Sequence, residues 1–215
     1  MPRHARAARG ASIVWLVLAC GCSKPAPSSS SVPPPEPTAA PASAAGNRVV
    51  GKGPLPNSGS AVVVVLEPRT ARTFAPQTEE PVMDQVNLSF TPELLLVRTG
   101  QPVEFRNDDD TLHNVHVSHE ETRTPAFNVA IPTDGAYTYT FERDGFYRVG
   151  CDIHPSMAAA VFAAASPYTT LAESDGSFSF IDVAPGQWRV VIYASGRRLQ
   201  QDVEVKNGVT TVTVE

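Results

Sequence analysis

Apolar and polar residues alternate with period two through much of the chain's second half, in short runs separated by turn residues. Such runs predict strands. Ala61–Leu66 is six consecutive apolar residues, a pattern expected of a buried strand. Glu93–Val97 and Pro102–Phe105 flank a turn at Thr99-Gly100, and Ala136–Phe141 precedes a turn at Asp144-Gly145 and a strand over Phe146–Val149. Ser177–Ile181 and Trp188–Tyr193 lie either side of Pro185-Gly186. Val203–Val205, Asn207-Gly208 and Val209–Val214 form a closing hairpin. Nothing beyond a turn reads as helix. Short strands at close spacing predict an all-β chain built as sandwiches or a small barrel.

The length, 215 residues at 42% hydrophobic, suffices for one large or two small cores, and 20 prolines argue against a helical bundle. Three cysteines exclude a disulfide scaffold. The first 19 residues have the layout of a bacterial export signal: Arg3, Arg6 and Arg9, then the apolar Ile13–Leu18, too short to span a bilayer. Val17-Leu18-Ala19-Cys20 resembles a lipobox, which makes Cys20 the expected lipidated residue, with Cys22 second and a plain secretory signal the alternative. Removing residues 1–19 takes away three arginines and no acid, so a net charge of −5 becomes −8. An acidic chain is a poor nucleic-acid binder, and none is expected as partner. Residues 20–45 form a tether; from Ser23 to Ala45 there are seven prolines, six serines and six alanines, with no periodicity. Lipid and tether together predict a domain held clear of a membrane it does not span, in the bacterial cell envelope. The expected place is the outer membrane facing the periplasm, or the periplasm or exterior if the chain is not lipidated.

Cys151-Asp152-Ile153-His154-Pro155-Ser156-Met157 carries the sharpest chemistry. It offers a thiolate, an imidazole and a thioether at steps of three, on a tight loop between strands at Tyr147–Gly150 and Val161–Ala164. His113, from His113-Asn114-Val115-His116, supplies a second imidazole from another loop. Two nitrogens, one thiolate and one weak thioether are the donor set of a blue copper site. Cu(I) prefers sulfur and Cu(II) nitrogen; a mixed set satisfies both poorly and about equally, so little moves on electron transfer.

From about Val82 to Ala164 the chain resembles a cupredoxin, nearest in loop spacing to the amicyanin and plastocyanin-like branch. The matching pieces are Phe90–Leu94, Gly100–Phe105, Asn107–Asp109, His113–Val115 and Cys151–Met157. The resemblance implies one type 1 copper ion held by His113, Cys151, His154 and Met157. It also gives Asn114 a supporting role, tying the two ligand loops by hydrogen bonds. His116, expected on the same strand face as His113, is the rival ligand. His119 is expected in a solvated loop, and the stretch from His119 to Thr133 has no counterpart in the family pattern. Asp108-Asp109-Asp110 reads as a turn, or as an acidic patch steering a basic electron partner.

The C-terminal stretch, with Asp175-Gly176-Ser177-Phe178 and Pro185-Gly186-Gln187-Trp188, resembles the carboxypeptidase regulatory-like, transthyretin-type β-sandwich. Residues 166–215 lack its first two strands, which 48–70 would supply. The expected organisation is therefore a discontinuous sandwich, 48–70 and 166–215, with a cupredoxin domain at 82–164 inserted. The alternative makes 48–66 the first cupredoxin strands. No nucleophile elbow, zinc-protease motif or phosphate loop is present, so no enzyme is expected. The resemblance implies an electron carrier whose partner is a redox protein, such as a periplasmic cytochrome c, oxidase or dehydrogenase. A copper-holding protein without redox turnover and a structural interaction module are the alternatives.

Overall fold

The computed structural model describes residues 46–57 and 61–215. The export signal, Cys20 and the tether lie outside the described residues. The described chain holds sixteen strands and no helix. In order they are β1 (Arg48–Lys52), β2 (Val63–Pro68), β3 (Val82–Val86), β4 (Ser89–Thr91), β5 (Leu94–Arg98), β6 (Pro102–Asn107), β7 (His113–His119) and β8 (Pro125–Ile131). There follow β9 (Ala136–Thr140), β10 (Gly145–Gly150), β11 (Ala158–Ala164), β12 (Thr169–Leu171), β13 (Ser177–Ile181), β14 (Gly186–Ala194), β15 (Arg197–Val205) and β16 (Val209–Thr213).

The strands form four sheets, ordered β13-β1-β16, β12-β2-β14-β15, β5-β11-β10-β7-β8 and β4-β3-β6-β9. Three apolar layers join them. Val49, Val64, Leu66, Phe178, Trp188 and Ile192 fill the space between the first two sheets. Met83, Phe105, Val115, Phe141, Val149 and Val161 fill that between the last two. Between the inner sheets lie Val63 and Val65 of β2 with Phe162 and Ala164 of β11, flanked by Leu94, Leu96, Phe146 and Tyr193. Successive side chains on a strand point to opposite faces, so β2 and β11 are buried on both. That is why Val63–Leu66 of β2 and all of β11 are unbroken apolar runs rather than alternating ones.

β2 pairs antiparallel with β12 and β14, and β1 pairs with β13 and β16. Neither pairs with a strand between residues 82 and 164. The stretch after His119, without counterpart in the family pattern, holds β8, which pairs with β7 across an irregularity between Val117 and Ser118. His119 is a correction. It is buried at the end of β7, its Nε2–H directed to the Asp144 carbonyl at 3.3 Å and its ring edge-on to Tyr147. A Cβ on residue 145 would come within 2.9 Å of the His119 Nε2, so Gly145, at φ +126°, makes room for that ring.

Asp175, in the turn before β13, accepts the Ser177 N–H at 2.9 Å and pairs with Lys52 at 3.1 Å. Bonding to Ser177, then to Lys52, pulls its carboxyl down to about 2. The unfolded chain then binds the extra proton first, so this contribution is complete above the ordinary carboxylate pKa and is lost as pH falls towards 2. Asp175→Asn should flatten the acid limb of a stability-versus-pH curve below about pH 4. Urea midpoints of both proteins measure it, and parallel limbs would refute it.

Candidate metal centre

β10 ends at Gly150 and β11 begins at Ala158, so antiparallel pairing forces residues 151–157 into a closed loop at one end of the cupredoxin-like core. Two backbone bonds brace it: the Cys151 N–H to the Met157 carbonyl at 3.3 Å, and the Met157 N–H to the His154 carbonyl at 2.9 Å. Cys151 and Met157 are buried in that core, and His154 is half-buried. His113, the first residue of β7, is wholly buried beside the loop.

Three donor atoms converge. The His113 and His154 Nδ1 atoms face one another at 2.9 Å, and the Cys151 Sγ lies 3.9 and 3.8 Å from them. The donor atoms of all three residues lie within 4.8 Å of one another. An ion with bonds of about 2.0–2.3 Å reaches all three. Thiolate, two imidazoles and a buried thioether on the same loop suit copper, and no carboxylate stands among the converging donors.

The surrounding bonds hold the donors in place. The His113 Nε2–H donates to Asp109 Oδ2 at 2.9 Å, which leaves Nδ1 free to bind. Asp109 also accepts the N–H groups of Asn87 and Leu88, at 2.6 and 2.9 Å. The Leu88 bond first, then that from His113, holds its carboxyl below the usual range. Asn114 Oδ1 accepts from the Asp152 and Ile153 N–H groups, at 2.7 and 3.3 Å, and from the Cys151 thiol at 3.3 Å. The His154 N–H points to the Cys151 Sγ at 3.4 Å.

Two expectations are corrected. His116 is three positions beyond His113, an odd step that turns its ring to the opposite face of β7. It is exposed and bonds to Asp152 at 3.0 Å, away from the donors. The Asp108–Asp110 run is not a uniform acidic rim. Asp108 pairs with Arg106, and Asp109 is turned inward to His113 with 13% of its side chain exposed. The Asp109 bond to His113 was not legible beforehand; its signal is a carboxylate four residues ahead of a ligand-type histidine.

Residues 78–163 match the family of copper binding proteins described as plastocyanin/azurin. Residues 155–213 match domain II of polysaccharide lyase family 4, rather than the carboxypeptidase regulatory-like module of the sequence resemblance. Among solved structures, a reduced amicyanin mutant is 24% identical over 41% of this chain and 86% of its own, with a TM-score of 0.37. A purple cupredoxin from Nitrosopumilus maritimus is 21% identical over 40% of this chain and 100% of its own, TM-score 0.36. A copper-containing nitrite reductase from Thermus scotoductus is 25% identical over 46% of this chain and 25% of its own, TM-score 0.37. Among curated proteins none matches. The family match over 78–163 and the donor set within it agree: that part of the chain matches the copper-binding plastocyanin/azurin family model and brings together a donor set suited to copper.

Proposed function

We propose that the protein is a type 1 copper electron carrier, with His113, Cys151, His154 and Met157 holding one ion. The observation that carries this is the convergence of two Nδ1 atoms and the buried Cys151 Sγ on one point. Copper there supplies a one-electron Cu(II)/Cu(I) couple. The chain's own part is to keep the donors still: Asp109 orients His113, and Asn114 ties the cysteine loop to β7. Donors that are already placed need little rearrangement on a change of oxidation state.

The redox partner docks over His154. Pro155, Ser156 and Ala158 around it are exposed and uncharged, and Leu88, Leu112 and Ile153 expose apolar surface nearby. A partner can approach such a surface without desolvating ions. Adding Cu(II) to the soluble chain from Gly46 should produce an intense visible thiolate-to-copper band and fast self-exchange. A weak band with slow exchange would favour a copper-holding protein instead.

The remaining strands form a discontinuous β-sandwich, 48–70 with 166–215, serving as spacer between anchor and copper. The support is the pairing of β1 and β2 with β12, β13, β14 and β16 alone. The anchor is lipid on Cys20, in the bacterial cell envelope. Cys20→Ala should release the protein from membranes with its copper spectrum unchanged; continued membrane binding in Cys20→Ala but not Cys22→Ala would move the anchor to Cys22.

A further inference from the structure

The residue after the cysteine ligand sits at the centre of a bond network that the copper assignment leaves unused. Asn114 and His116 stand two apart on β7, hence on one face, and Asn128 lies opposite His116 on β8. Asp152 bridges all three. Its Oδ1 accepts the His116 Nδ1–H at 3.0 Å, and its Oδ2 accepts from Asn128 at 2.8 Å and from Asn114 at 3.1 Å. Asn114 also donates to Asn128 at 2.7 Å, closing a ring of side chains. The Asp152 N–H goes to Asn114 Oδ1 at 2.7 Å, so this residue is held by its backbone and its side chain at once.

We infer that Asp152, braced by His116 and Asn128, is a positioning residue that holds the Cys151–His154 segment in its ligating shape before the metal arrives. The inference rests on the copper assignment for what the segment is shaped to bind. The physical reason is leverage. Residue 152 adjoins one ligand and stands two residues from another, so fixing it from three sides removes the rotations by which Cys151 and His154 could drift apart. Asp152 and His116 are both largely exposed, so the pair adds little to global stability. Its effect falls on the loop.

The test uses the full chain in detergent. It measures copper release to a chelator, and hydrogen exchange at the Ile153 amide, which bonds to Asn114 Oδ1, in the metal-free chain. Asp152→Ala should speed both about tenfold, and His116→Ala about threefold, with unfolding midpoints unchanged. Asp152→Asn keeps an acceptor oxygen but loses the charge; it should stay within about twofold of the parent. Parent-like rates for Asp152→Ala would overturn the inference. So would Asp152→Asn as fast as Asp152→Ala, which would assign the effect to charge alone. If Asp152→Ala does not fold, Asn128→Ala serves in its place, with faster release and exchange expected and parent-like rates overturning. Failure of the copper assignment has a different signature: the parent itself gives no visible band, while the exchange measurement still reads the brace.

Discussion

Cys151→Ser is expected to eliminate the visible band and most of the copper affinity while leaving the fold standing. The Cys151 Sγ is the one soft donor among the converging atoms, 3.9 and 3.8 Å from the two imidazole nitrogens, and would bind copper as a thiolate. A serine hydroxyl is neutral near pH 7, less polarisable and on a shorter bond, so it replaces neither the charge nor the charge-transfer donor. Partners that merely orient a ligand cost about 10–100-fold in affinity when removed, and the loss here should exceed that. Stability should change little, because the side chain is small and its polar contacts are with Asn114 Oδ1 and the His154 N–H, both open to a hydroxyl. Copper titration followed by absorption is the measurement, and a serine variant that keeps the intense band would falsify the assignment.

Phe162→Ala should have the largest effect on stability and almost none on the spectrum. Phe162 is 1% exposed, between the inner sheets, its ring 4.8 Å from Phe146 and 4.9 Å from Tyr193 by centroids. Truncating such a side chain removes its transfer free energy and leaves a cavity, together about 3–5 kcal/mol. Cys151 and Met157 belong to the apolar layer on the other face of β11, so the donors should not move. Urea unfolding measures the loss; a change below about 1 kcal/mol would mean the inner sheets are not close-packed.

Much of this was legible in the residues because it depends on local pattern. Period-two runs located β9, β13 and β14, and the unbroken apolar run at 61–66 marked β2 as buried. The donors were legible because ligand chemistry selects residue types that little else brings together at such spacing. What was hidden depended on side chains meeting across the fold. β8 has no clean alternation to betray it: apolar residues stand at outward and inward positions alike, Asn128 interrupts them, and its pairing to β7 is irregular. Asp109 looked like any turn acid, since its bonds to Leu88 and to His113 form only when the β3–β4 hairpin and β7 meet. His119 sits among polar neighbours in the chain and owes its burial to Tyr147 and to the space at Gly145.

The closure of the outer sandwich over a long intervening stretch bears on the order of assembly. The Leu66 N–H bonds to the Tyr168 carbonyl, and the Ser166 hydroxyl donates to the Leu66 carbonyl across 100 residues. Closing a flexible loop of that length costs about 4 kcal/mol in chain entropy before any contact repays it. If the copper-binding sheets condense first, their compact body brings Pro68 and Ser166 close together, and the effective loop becomes short. Contact order would then fall for the second step, which otherwise belongs to the slow class of all-β folding. The cost is borne by β2. From the time it leaves the ribosome or translocon Val63–Leu66 has neither strand partner until β12 emerges, and its other edge stays open and sticky until β14 follows. Chains cut short before Gly186 would carry that edge permanently, and a chaperone of the compartment would find its binding segment there.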